Sequence, residues 1–196
     1  MNTNRYCVFA SLLICFLAGS ANGQNDAPLQ SQKQAEQPAT KVEAFLGKRG
    51  RLVLKDSYDL GQISSLGKIE MDALVIYEPG SSQKVKGLRV EVTEAGRLER
   101  SNTSFIDLDE LQSLSEALSY MSNLAKQWNT QGHETYTEVI YSSKGQFKVG
   151  FFQKGKENGA FFTSGSIGAV NAFVKIADLD RLKSLVDQAI SLLNSK

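Results

Sequence analysis

Cysteine is almost missing from this chain: the only two residues, Cys7 and Cys15, stand within the first fifteen positions. Beyond them nothing can form a disulfide framework, a thiol nucleophile or a zinc cluster of cysteines. Histidine is scarcer still. His133 is the sole one, in the polar stretch NTQGHETY, so any Ser-His-Asp hydrolase would have to use it, and no G-x-S-x-G elbow accompanies it. A lone histidine in such a stretch is expected as a solvated surface residue. Long apolar runs are missing too, apart from Tyr6 to Ala18. That run is shorter than the roughly 20 residues a membrane span needs.

What is present at the start is the grammar of a secretory signal: Arg5, the apolar run, then small residues ending in Ala21-Asn22-Gly23. The expectation is a signal peptide over 1–23, cut before Gln24, with the chain released outside the cytoplasm, secreted or periplasmic. Ser20 follows Leu17-Ala18-Gly19 where a lipoprotein signal needs cysteine. Cleavage removes Arg5 and no acid, so the 22 basic residues fall to match the 21 acidic ones. A neutral chain has no global attraction to nucleic acid or anionic lipid. Residues 24–44 are rich in glutamine and alanine and hold two of the three prolines. They are too poor in apolar groups to pack, and are expected to be a disordered linker. The remainder, 45–196, has the length of one domain.

Within it the periodicity is first that of strands. RLVLKDSY, IEMDALVIY and KGLRVEVTE are broken at Pro79-Gly80, and a fourth strand is expected over Leu98 to Phe105. A helix follows from Leu108 to Trp128, with Leu108, Leu111, Leu114, Leu118, Met121 and Leu124 on one face. Asp107 and Glu110 have capping-box spacing at its start. Four more strands, TYTEVIYS, QFKVGFFQ, GAFFTSG and AVNAFVKI, precede a helix from Leu179 to Leu193 with Asp178 as its cap.

The two helix starts share D-L-D-x-L-x-S-L, at 107 and again at 178, and their apolar faces coincide under that shift. The class is therefore α+β, antiparallel strands with helices on one face. Either a ββββα unit is duplicated, over about 49–128 and 134–196, or one sheet carries both helices. In its element order the chain resembles the Whirly and PC4-like folds, whose known members bind single-stranded nucleic acid. That resemblance spans the folded part as a string of elements and carries no functional residue across.

Two groups are candidates for an interaction surface. One is basic: Arg49 and Arg51 before the first strand, Lys86 and Arg89 on the third, which with Tyr58, Tyr77 and Phe151-Phe152 could frame a groove with stacking rings. The other is GAFFTSGSIGAVNAF, where Phe161, Phe162 and Phe173 stand among small residues that admit close approach of a backbone or an apolar ligand. Their default reading is as filling beneath the second helix. Asp107, Asp109, Glu110, Asp178 and Asp180 are read as helix caps rather than a calcium site, because DLDEL runs straight into a helix. No catalytic, metal or cofactor residues emerge. The expected function is non-enzymatic binding, to an unidentified protein or small apolar ligand or by homo-oligomerisation. Single-stranded nucleic acid is the alternative, disfavoured by secretion.

Overall fold

The computed structural model describes residues 39–196; the expected signal peptide, its cleavage site and most of the linker lie outside them. Strands β1 (Leu54–Ser65), β2 (Gly67–Tyr77), β3 (Lys84–Thr93) and β4 (Ser101–Asp107) form one antiparallel meander, sheet A. Strands β5 (His133–Ser142), β6 (Phe147–Gly155), β7 (Glu157–Ser164) and β8 (Val170–Val174) form a second, sheet B. A helix follows each, α2 (Leu108–Gln131) and α3 (Asp178–Ser195), so the ββββα arrangement occurs twice and the class is α+β.

One element was not expected. Lys41–Leu46 form a helix, α1, that begins inside the segment read as linker. Thr40 and Glu43 make a reciprocal capping box, and Val42 and Phe45 are buried against Leu74 and Ile76. The ordered domain therefore begins before residue 45, because two apolar side chains and a good cap outweigh the polar composition around them.

Alternation along each strand separates an inner from an outer face. Inner residues such as Met71, Val90, Val149 and Phe162 join α2 and α3 in a single core. α3 packs on β1, β2 and β3 of sheet A, the sheet of the other half, while α2 lies across both sheets, touching β5 and β6 of sheet B and β3 and β4 of sheet A. Ser115 of α2 bonds Asp187 of α3 and Ser122 bonds Asp180, so the two helices run antiparallel. Phe162 is fully buried in that shared core, to which both α2 and α3 contribute.

The sheets meet at reciprocal seams. The β1–β2 reversal at Leu66 pairs with Phe173 on the β8 edge, N–H to O at 3.0 and 2.8 Å. The β5–β6 reversal lies against the β4 edge so tightly that a Cβ on Gly145 would sit 1.8 Å from the Phe105 oxygen. Phe105 and Phe173 are therefore counterparts, each on its sheet's outer face at the strand clasped by the other sheet's hairpin.

Candidate binding surface

Of the acidic candidates only Asp107 caps a helix, and that helix is not its own. Asp107 stands at the start of α2 and makes no side-chain bond to it. Its carboxylate accepts instead from the N–H groups of Lys41 and Val42, at 2.8 and 3.1 Å, capping α1. Glu110 takes the Lys144 N–H at 3.0 Å, in the β5–β6 turn. Asp109 pairs with Lys41 Nζ, and that bond holds its carboxyl below the usual range. At α3 the cap position is Ala177, and Asp178 accepts from the Lys175 N–H. Asp180 accepts from Ser122 and Lys126 of α2. Among the described residues no group of three acidic, histidine or cysteine side chains is placed to hold a metal.

The basic candidates are not brought together. Arg49 is exposed, and Arg51 pairs with Glu78 at 2.7 Å. Lys86 and Arg89, an odd number of positions apart on β3, point to opposite faces. Lys86 donates to the Leu193 carbonyl at the end of α3, 2.8 Å, and Lys84 donates likewise to the Lys196 carbonyl. Arg89 lies on the outer face of sheet A between Asp72 and Glu91. Burial alone would lower its pKa; its bonds to those carboxylates outweigh that and raise it. Tyr58 and Tyr77 pack against the core, and Phe151 is fully buried within it. These positions therefore form no single basic groove with stacking rings: Arg51 and Arg89 are engaged by carboxylates and Lys86 by a carbonyl, while Arg49 stands exposed.

His133 is the first residue of β5, not a free loop residue. Its ring stacks on Trp128, centroids 4.4 Å apart and planes within 7°, and its Nε2 meets the Thr137 hydroxyl at 3.0 Å. This is a packing role.

The aromatic candidates divide. Phe162 is fully buried. Phe161 and Phe173, paired in register across β7 and β8, stand on the outer face of sheet B, Phe161 half-buried and Phe173 49% exposed. Phe152 shares that face, and Tyr136 stacks on it with centroids 6.0 Å apart. Two glycines shape the surface. Phe161 lies over Gly150 and Phe152 over Gly159, each so close that a Cβ would come within 3 Å of the ring. Leu66, 67% exposed, and Ile140, 47% exposed, extend the patch. A depression of about 340 Å³ lies within it, lined by Leu66, Phe152, Gly159, Phe173 and Lys175.

Sheet A differs on its outer face. Leu74, Ile76, Val85 and Phe105 are apolar there too, but α1 covers them. Val42 Cγ2 lies so near Gly87 that a Cβ there would meet it at 2.7 Å. No described element covers the outer face of sheet B. Exposed contiguous apolar surface is uncommon on soluble domains and marks an interaction site.

A larger cavity, about 540 Å³, lies where the N-terminal end of α1 meets the β5–β6 and β7–β8 turns. Of its polar side chains, Glu43 is held in the capping box, and Asn102 and Ser104 bond Ser164. Phe161 and Phe162 are neighbours in sequence, and strand parity puts neighbours on opposite faces; the same parity makes Phe152 and Tyr136 legible. No helix among the described residues is long and apolar enough to cross a membrane. No protein-family model matches the chain, and no curated protein or solved structure matches it either.

Proposed function

We propose that the chain is a secreted or periplasmic, non-enzymatic binding domain that engages its partner through the outer face of sheet B. The carrying observation is the contrast between two equivalent faces: apolar residues on sheet A lie under α1, while on sheet B Phe173 lies open and Phe152 and Phe161 are only half-buried. Exposing rings at this density opposes solubility unless something covers them. Native mass spectrometry of the protein purified from its own compartment tests this. A reproducible added mass that Phe173→Ser removes supports the reading; an added mass unchanged by that substitution removes the face from consideration.

A second reading uses the same rings. Single-stranded nucleic acid binds where aromatic side chains stack bases and lysines follow the backbone. Lys148 and Lys154 flank the patch on β6, and neither makes an ion pair among the described residues. This accords with the Whirly-like element order. Affinity for an oligothymidylate falling steeply with added salt is its signature.

A further inference from the structure

We propose that the open face of sheet B docks a short amphipathic helix from a partner protein, seated with its C-terminal end on Lys175. This deepens the function proposed above and rests on it. The internal repeat supplies the argument, because sheet A already holds such a helix at the equivalent place.

On sheet A, Gly87 pairs with Leu74 on one side and Asp107 on the other. On sheet B, Gly159 pairs with Phe152, and one step beyond the Ala160–Val174 pair the same register sets it beside Lys175. Gly87 and Gly159, Leu74 and Phe152, Phe105 and Phe173 are thus matched. In the first half Val42 enters the hollow over Gly87, and Asp107 receives the free N–H groups of α1. In the second half the Phe152 ring lies over Gly159, and a hollow remains beside it, lined by Phe152, Gly159 and Phe173.

One matched pair changes sign: Asp107 becomes Lys175. A carboxylate suits the positive N-terminal end of a helix, whereas an ammonium suits the free carbonyls at the C-terminal end. The protein uses that second pairing elsewhere, since Lys86 and Lys84 donate to the terminal carbonyls of α3. Lys175 makes no ion pair among the described residues, and the nearby Glu157 faces Lys154 across the hairpin. The helices of a second copy do not fit the role, because α1, α2 and α3 already bury their apolar faces. A guest helix with a β-branched or aromatic side chain for the hollow and a terminal carboxylate for Lys175 does.

The probe is a fluorescein-labelled peptide of residues 39–47, chemically stapled as a helix, titrated into the full chain. Saturable binding is expected, with amide shifts at Phe152, Gly159 and Phe173 rather than at Leu74, Gly87 and Phe105. Phe173→Ser and Lys175→Glu, both at exposed or half-exposed positions, each weaken it about tenfold or more, and amidating the peptide's C-terminus weakens it about threefold. Absence of saturable binding, or indifference to both substitutions, overturns the helix dock. So does a self-association that Phe173→Ser abolishes, which assigns the face to a second copy. Salt-sensitive binding of a twelve-residue oligothymidylate at these residues, without peptide binding, also overturns it while leaving the face as the binding surface.

Discussion

Replacing Asp107 by alanine separates two accounts of the same residue. Sequence spacing makes it the cap of α2; its bonds make it the cap of α1, more than sixty positions earlier in the chain. α1 has six residues, far below the roughly 12–15 at which an isolated helix holds together, so its persistence depends on docking and on its caps. Asp107 is 2% exposed and accepts two backbone N–H groups. Losing a helix cap costs about 0.5–2 kcal/mol and losing a bond to a charged group about 1.5–3, so α1 loses about 2 kcal/mol, roughly 30-fold in its opening equilibrium. Amide hydrogen exchange reads that opening locally. The amides of residues 42–47 exchange about 30-fold faster in Asp107→Ala, while those of Leu111 to Leu114 keep their protection. Faster exchange at the start of α2 with α1 unchanged refutes the assignment.

Other substitutions follow from the same geometry. Phe162→Ala opens a cavity in the core and costs about 3–5 kcal/mol in denaturant unfolding, whereas Phe173→Ala costs less than about 1. Gly145→Ala forces a methyl onto the Phe105 carbonyl and loses about 1–3 kcal/mol, while Gly96→Ala, with no atom nearer than 3.8 Å, stays within about 0.5 in the same assay. Asp180 has its carboxyl lowered chiefly by the Ser122 hydroxyl and Lys126; for Asp187 burial opposes, and bonds from Lys183 and Ser115 prevail. Groups with a lowered folded pKa stabilise fully above the unfolded value and lose that contribution as pH falls through the folded one. The α2–α3 pair therefore weakens below about pH 4, and Asp180→Asn with Asp187→Asn flattens the acid limb of stability against pH. Both carboxylates are about half exposed, so the effect stays below about 1 kcal/mol after solvent screening.

The strands and long helices were legible because their periods, two and 3.6, are local properties of the chain. Partner choice is not local. A leucine stripe says that α3 has an apolar face but not which sheet receives it, so the packing of α3 on the first half's sheet could not be read. The same holds for Asp107, since D-x-x-E fits a capping box whether or not a nearer donor arrives from elsewhere. α1 was legible in principle: Thr40-Lys41-Val42-Glu43 is a capping box ahead of Phe45 and Leu46, hidden only by the glutamine-rich composition around it. The basic candidates failed for another reason, because charge in a sequence is visible while its neutralisation by Glu78, Asp72, Glu91 or a helix carbonyl is not.

The open face carries a signal of its own in the places where alternation fails. A half-solvated strand alternates, and a strand apolar at consecutive positions is covered on both sides. Ala73-Leu74-Val75-Ile76 breaks alternation on β2, and each side has its cover: the core beneath, α1 above. Phe151-Phe152 and Ala160-Phe161-Phe162 break it on β6 and β7 in the same way, with the core beneath. The chain has written sheet B as a two-sided sheet, and within residues 39–196 only one of its sides is met. Phe161 and Phe152 partly compensate by lying over Gly150 and Gly159, which shelters one side of each ring and leaves Phe173 and Leu66 standing clear. A surface sheltered only halfway by its own glycines still holds apolar area to bury, which fits the dock proposed above.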